Sequence, residues 1–595
     1  MPRLFRLRFD WTDERREALR NSPWRLVTYL PFAVSIVALI GLLYVLGFDL
    51  GRTEYAEWHK ALAWCSFAIV LFIPLRHLLF YQVRKLRVWL FDGMLVLAAL
   101  LSFLAMAVGL PVVLFCSHEW LLLLFAINFL RELSALNLEF KRTALNPAQL
   151  FVFSFLCLML LGAAFLTFPN ATYGGLSFVD ALFTSTSAVC VTGLALVDTG
   201  SYFTFFGQGV LLFLIQVGGL GIMTFTSYFS YFFKGDSSYE NQLIIQEMTG
   251  SDKIAEVFGT LKHVLIITFT IEALGALLLY VNLSGGPLDN SWERVWFAVF
   301  HSISAFCNAG FSTAPSGLFA DGFRHEYDLQ VTIGSLIILG GIGFPILYNF
   351  WSYFKHVITD RLFKKKRRHV PWVINLNTRI VGLTTVVLLV LGTVGYFLLE
   401  QEQTFAEHEG LGKWVGAFFA SVTARTAGFN TIDYGQMTFS AIVLTYFLMW
   451  VGASPASTGG GIKTSTFAVS LLNSFSIAKG RGRLEAFGRE ISDMTVKRAY
   501  SQVFLSIMAI GLSVLLVSWF NPALSLRAVI FECVSAFSTV GLTMGITPQL
   551  AMGSKLVIIA TMFVGRISLL TLMAAVVRQV RFKQYRYPTE DITIS

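Results

Sequence analysis

The chain has 595 residues, of which 55% are hydrophobic and only 14% charged, with a formal net charge of +9. Soluble proteins average nearer a quarter charged, so this deficit and the many long apolar runs exclude a soluble globular protein and point to an integral membrane protein. Strand-like alternation of the outer-membrane-barrel type is missing, which leaves a polytopic α-helical chain.

Residues 1–145 hold four candidate spans, at 26–46, 62–80, 88–115 and 120–136, each near or above the ~20 residues a spanning helix needs. An even number keeps both ends of this block on one side. Arg3 to Arg25, with Lys141 and Arg142, put that side in the cytoplasm. The opening "MPRLFRLRF" is basic and followed by further charges, unlike a cleaved signal peptide. The segment "VRKLRVWLFDG" at 83–93 faintly resembles the middle of a voltage-sensor bundle. The fourth span departs from that pattern: Arg131 stands beside Glu132 and no base follows until Lys141. A packing or assembly role is expected, with Asp92, Arg131 and Glu132 pairing with one another.

Four similar units come next, with expected boundaries 146–235, 236–355, 356–480 and 481–595. Each opens with a span (151–168, 264–281, 380–399, 503–520) and continues with a shorter, less apolar stretch (178–190, 293–306, 412–424, 526–537). Each stretch runs into a recurring passage: "SAVCVTGL" (187–194), "SAFCNAGF" (304–311), "VTARTAGF" (422–429) and "SAFSTVGL" (535–542). The shared glycines Gly193, Gly310, Gly428 and Gly541 are 117, 118 and 113 residues apart, too far for a solenoid of ~20–50-residue units. The spacing suits a fourfold duplication. A stretch of ~12–14 residues is too short to cross a membrane and reads as re-entrant. The second spans share a small-residue midpoint at Gly218-Gly219, Gly340-Gly341, Gly452-Ala453 and Gly565-Arg566, where neighbouring helices approach closely or the helix bends. The expected fold is therefore an all-α polytopic membrane protein with four helix–re-entrant pore helix–helix repeats around a pseudo-fourfold pore, plus an N-terminal four-span bundle.

Four short helices pointing at one axis would turn their partial negative C-termini inward, and glycine would let loop carbonyls do the same. The lining would come from Val191-Thr192-Gly193, Asn308-Ala309-Gly310, Thr426-Ala427-Gly428 and Thr539-Val540-Gly541. All are neutral. With no carboxylate ring for a divalent ion and no lysine ring for an anion, a monovalent cation is the natural guest.

The third unit's second span breaks into "GASPASTGGGIK" at 452–463. Pro455 interrupts the helical hydrogen-bond ladder, and Gly459, Gly460 and Gly461 each cost ~1 kcal/mol relative to alanine in a helix, so the segment rearranges readily. A nucleotide-binding loop would need glycine directly before the lysine, but Ile462 intervenes and a membrane span precedes it. Arg566 lies mid-span, where a charge costs ~2.5–3.5 kcal/mol and must face water or a partner, Glu272 and Glu532 being the candidate carboxylates. The six cysteines form no CxxC pair and read as reduced. His301 is the only histidine near a glycine turn and has no evident partner, and nucleophile and metalloprotease motifs are missing, which argues against an enzyme. Basic runs at 361–369, 479–483 and 578–586 fit cytoplasmic loops. No aromatic stacking platform sits beside 364–368, so no nucleic-acid partner is expected.

These glycine passages, with "GASPASTGGGIK", "MFVGR" and the terminal "YRYPTEDITIS", resemble the Trk/Ktr/HKT potassium transporter superfamily, most closely its KtrB-type membrane subunits, over about residues 151–595. The resemblance implies potassium uptake through a pore with one filter glycine per repeat, made by the lining residues above. Gly193 stands where sodium-preferring relatives often carry serine. It further implies a gate below the filter, formed by Ser454, Pro455, Ser457, Thr458, Gly459, Gly460, Gly461 and Lys463, with Arg566 beside it. Lys463 also suits the plainer role of bonding loop carbonyls. The expected partners are a second copy in a homodimer and a cytosolic ring of nucleotide-binding, KtrA-type regulatory subunits. The loops 234–258, 355–376 and 476–498 and the basic tail are the expected docking surfaces, and they suit anionic membrane lipid equally. The expected location is the cytoplasmic (inner) membrane, with both termini cytoplasmic. No cofactor is expected on this chain; potassium is the transported ion, with sodium as the alternative. Rival readings are a sodium- or proton-coupled potassium symporter of the same fold, or a membrane sensor or scaffold.

Overall fold

Without water at membrane depth, backbone N–H and C=O groups are satisfied within helices. Helices accordingly dominate the computed structural model, which describes residues 7–9, 29–49, 51–79, 86–108, 115, 117–138, 147–221, 257–284, 288, 290–351, 353 and 374–576. The basic runs 361–369 and 578–586, most of the loops 234–258 and 355–376, and the C-terminal tail lie outside the described residues. Among the described residues, Leu30–Gly47, Thr53–His77, Val88–Ala107, His263–Asn282, Leu376–Glu400 and Asp493–Phe520 are long and apolar enough to cross a membrane. Two short antiparallel pairs interrupt the all-helical picture. Leu7–Phe9 pairs with Leu136–Leu138, and Glu485–Ala486 pairs with Arg489–Glu490. The second pair turns on Phe487 and Gly488, both at positive φ, the conformation a tight two-residue hairpin needs.

The N-terminal helices are Leu30–Gly47, Arg52–Leu79, Leu86–Val108 and His118–Ala135. The second begins well before the expected residue 62, because the polar "RTEYAEWHKA" is rich in good helix formers. The third is described over Leu86–Val108, and residues 109–114 of its expected range lie outside the described residues. The helices are joined by a buried ionic network. Arg131 grips Asp92 through two bonds, 2.6 and 2.7 Å, and lies 3.2 Å from Glu132. Two further partners, absent from the expected trio, come from the second helix. Arg76 donates to both oxygens of Glu132 at 2.7 and 2.9 Å, and His77 meets Asp92 at 2.9 Å. Removing one member leaves its partner charged and dry, which typically costs ~3–5 kcal/mol. Glu132→Ala should therefore unfold at a clearly lower temperature than wild type in detergent, while exposed Glu54→Ala should not; equal melting temperatures would disprove the network's structural weight. The block docks on the first repeat unit through Phe48 against Phe168 and Asn170 Nδ2 donating to Leu46 O at 3.2 Å.

From Pro147 onward one order of helices recurs. Long helices Pro147–Leu166, Val257–Asn282, Leu376–Glu400 and Asp493–Phe520 each precede a short one: Phe178–Val189, Ser291–Phe306, Leu411–Thr423 and Leu526–Phe537. Three short helices start on a side-chain cap, where Ser177, Asn290 and Ser525 accept from Asp180, Trp292 and Ala528 N–H groups. Then come Phe205–Leu220, Tyr327–Ile342, Phe439–Trp450 and Met552–Ile567. Contacts link the units in cyclic order. Trp296 donates to Gln208 (2.7 Å), Tyr327 meets His408 (3.0 Å), Tyr446 donates to the Arg527 carbonyl (2.8 Å), and Lys555 pairs with Asp180 (2.5 Å). That last contact joins the final unit to the first.

The small residues of the second helices lie directly against the short helices. A Cβ on Gly218, Gly340 or Gly565 would overlap the carbonyl oxygen of Val189, Phe306 or Phe537, the last residue of the neighbouring short helix. Three residues on, each helix stops at a positive-φ residue: Gly221 (+81°), Gly343 (+95°) and Ser568 (+75°). Tyr327–Ile342 and Phe344–Trp351 meet at 99°. In the third unit the interruption is longer, from Val451 to Lys463, before helix Thr464–Ala478.

Candidate functional site

Each short helix ends by reversing its backbone. In the first, second and fourth units the residue after the C-cap is left-handed: Val191 (+56°), Asn308 (+61°) and Thr539 (+50°). Thr192, Ala309 and Val540 N–H then reach back to Ser187, Ser304 and Ser535 carbonyls at 2.7 to 2.9 Å, closing the helix ends. The third helix stops one residue earlier, so Thr426 (+72°) takes the left-handed place and Ala427 N–H bonds Thr423 O at 3.1 Å. β-branched residues rarely tolerate positive φ, so the turns at Val191, Thr426 and Thr539 are held by their surroundings. Hydroxyls staple all four turns: Ser187 and Ser535 accept from Gly193 and Gly541 N–H, while Ser304 and Thr423 donate to Phe311 and Phe429 carbonyls.

The turns meet. A Cβ on Gly193 would lie 2.5 Å from the Ala309 carbonyl oxygen, and one on Gly310 would lie 2.6 Å from that of Ala427. Gly428 faces the Val540 oxygen in the same way, and Gly541 faces that of Thr192. The contacts therefore run from first unit to second, third, fourth and back to the first, with each carbonyl set against the neighbouring glycine. All four glycines have positive φ, from +70° to +91°. Only a residue without a side chain permits this dihedral and this approach together.

The loop at 452–463 packs directly against two of these turns. A Cβ on Gly459 would strike Thr426 Oγ1, and one on Gly460 would strike Thr539 Oγ1. The loop's stem is a bridge between Val451 and Ile462, with Gly452 N–H donating to Ile462 O at 2.9 Å. Its tip is tied to the second unit. Ser454 N–H donates to Gly341 O at 3.0 Å and Thr458 Oγ1 to Phe306 O at 3.1 Å, while Pro455 O lies against Gly343. Ser457 Oγ closes the tip on Ser454 O at 2.6 Å, and Gly461 rests against Ser538. Lys463 donates to Gly459 O at 2.6 Å, a bond inside the loop.

Arg566 donates to Thr458 O and, at 2.6 Å, to Gly218 O. Neither candidate carboxylate pairs with it: Glu272 accepts from Gln216 at 3.1 Å, and Glu532 accepts from Thr547. His301 has a partner after all, Ser312 Oγ at 2.8 Å, with its other ring nitrogen against Phe297 O at 2.9 Å. A residue that sequence reasoning missed is Arg425, whose Nη2 donates to Gly452 O at 3.3 Å. Aligning the four passages exposes it, since the place three before the glycine holds Cys190, Cys307, Arg425 and Ser538.

On the rim between the second and third units, outside the spans, His408 lies near His325, their ring centroids 5.0 Å apart and their planes tilted by 57°, and Arg324 pairs with Glu407 at 2.7 Å. Burial, then His325 and Arg324, pull the His408 pKa below its usual value. The sign is fixed by that direction: between the lowered folded pKa and ~6.5 the unfolded chain binds more protons, so folding stability falls as pH drops below ~6.5. Melting temperature should therefore fall on acidification from neutrality, and His408→Gln should flatten that slope. An unaltered slope would rule His408 out.

Long apolar helices packed around short and broken ones define a multi-pass α-helical membrane protein. The chain belongs to the TrkH family of cation transport proteins, whose model matches residues 146–585; the family is one of transporters, not enzymes. Among its relatives, potassium/sodium uptake protein NtpJ of Enterococcus hirae is 35% identical over 76% of this chain and 98% of its own length. Ktr system potassium uptake protein B is 36% identical in Vibrio alginolyticus (71% of this chain, 90% of that protein) and 35% in Bacillus subtilis (76% and 97%). The crystal structure of the potassium transporter TrkH from Vibrio parahaemolyticus superposes with a TM-score of 0.59 at 17% identity, covering 87% of this chain and 96% of that one, a likeness of fold.

Proposed function

We propose that this protein takes up potassium across the cytoplasmic membrane through a channel-like passage. Its selectivity filter is the ring of Val191–Gly193, Asn308–Gly310, Thr426–Gly428 and Thr539–Gly541, and its gate is the loop at 452–463 with Arg566. One observation carries this reading: four neutral glycine turns at the ends of four short helices touch in cyclic order through their carbonyls. Carbonyl oxygens in a ring replace the water shell of a monovalent cation, and the helix C-termini behind them add negative potential. The names of the relatives, potassium uptake proteins, agree.

The loop beneath two of the turns, pinned to the second and fourth units, represents the closed state. Arg566 adds a positive charge to the cation's path there. The Ktr relatives are named as parts of a system, and we assign this chain the role of its membrane subunit, a homodimer on a cytosolic nucleotide-binding ring with both termini cytoplasmic. A second reading has its own support: one relative is named a potassium/sodium uptake protein, so sodium entering with or instead of potassium is the competing cargo. Rubidium tracer uptake into proteoliposomes, with and without sodium, tests both. Uptake independent of sodium supports the channel-like route, sodium-stimulated uptake supports coupling, and none at all removes the proposal.

A further inference from the structure

Arg425 occupies the one charged position among the four equivalent places behind the glycine turns. It is only 8% exposed, and among the described residues no carboxylate pairs with it. A buried guanidinium needs acceptors, and this one has the carbonyl of Gly452, the first residue of the loop. Its Nε has no hydrogen-bond partner, nor has the buried Thr385 Oγ1. Both residues line a cavity of about 20 Å³ beside Gly341 and Ala453, room for about one water. The next residue, Thr426, bears against Gly452 and Gly459. The third turn and the loop therefore meet at this pair of residues.

We infer that Arg425 is a latch between the third glycine turn and the loop: the closed loop supplies the guanidinium's acceptor, and opening strands it. The inference rests on the gate proposed above. The cavity gives a water room beside the guanidinium, and with a single loop carbonyl as acceptor the latch favours closure without locking it. Arg425 touches the loop rather than the ion, and is a positioning residue.

The test is rubidium uptake by the full chain in proteoliposomes, normalised to folded protein, for Arg425→Leu, Arg425→Gln and Arg425→Lys. Each is made in the intact chain and in one lacking residues 453–460. In the intact chain the Leu variant should raise uptake about tenfold, the order that one hydrogen bond to a charged group is worth. Gln and Lys, which keep a donor, should raise it less. In the deleted chain none should add anything, because the latch has nothing left to hold. If the deletion raises uptake but Leu in the intact chain does not, the latch is overturned and the gate survives. If neither raises it, the gate reading fails and takes the latch with it. A fall of equal size in both backgrounds overturns the latch in favour of a role in the shape of the turn. Should the Leu variant not fold, Gln decides alone: uptake equal to wild type overturns the inference, and a rise that vanishes in the deleted chain supports it.

Discussion

Gly193→Ser should cut discrimination of potassium over sodium by at least about tenfold, equivalent to ~1.4 kcal/mol, while sodium entry rises. Two costs arise at this residue. Its φ of +91° is one that residues with a side chain rarely adopt. Its new Cβ would sit 2.5 Å from the Ala309 oxygen and 3.2 Å from the Gly310 Cα. Both neighbours are backbone, so neither can swing aside as a side-chain tip would. The first and second units must separate, and the ring widens where, as the proposed filter, it would fit a bare ion. The serine hydroxyl offers another oxygen, so conduction survives better than selectivity. Gly193→Ala, with the same Cβ and no hydroxyl, should instead lower uptake of both ions. Competition uptake of rubidium against sodium reads these outcomes; wild-type selectivity in a well-expressed Ser variant would remove Gly193 from the filter.

Deleting residues 453–460 should raise uptake by one to two orders of magnitude and abolish its regulation. The deletion removes the Ser454–Gly341, Thr458–Phe306 and Arg566–Thr458 bonds. Two ordinary hydrogen bonds and one to a charged group together contribute on the order of 3 kcal/mol, about a hundredfold in population. The fold should tolerate the cut. Val451 and Ile462 are already bridged, and Gly452 already lies against Gly460 O, so the shortened chain rejoins across a gap that is nearly closed. Arg566→Gln, which weakens only one of the three bonds, should show a smaller increase. Uptake that stays low in a deleted protein with wild-type melting behaviour would exonerate the loop.

Much of this arrangement was legible in the sequence because membrane chemistry leaves few options. Apolar runs must be helices, and stretches too short to cross must return, so the short helices Phe178–Val189, Ser291–Phe306, Leu411–Thr423 and Leu526–Phe537 lie close to their expected limits. Glycine was informative twice. Gly193 and its counterparts stood out because they recur, and Gly218, Gly340 and Gly565 because they are small where spans pass close. What stayed hidden depended on partners distant in the chain. Arg76 and His77 join Asp92 and Glu132 from another helix. Glu272 and Glu532 were plausible partners for Arg566, yet it bonds to carbonyls that any residue could supply. Carbonyl acceptors leave no mark in a sequence. Arg425 was visible as a letter but not as a contact.

The sequence by itself determined that this is a helical membrane chain, that it repeats a short helix and a glycine turn four times, and that one second span is interrupted by proline and glycine. Hydropathy and glycine's freedom at positive φ are local properties, so they can be read along the chain. Only the tertiary structure decided that the turns close into one ring and that the loop rests against two of them. It also decided which carbonyls receive Arg425 and Arg566. Those contacts are set by backbone atoms common to every residue, brought together by packing within and between the units.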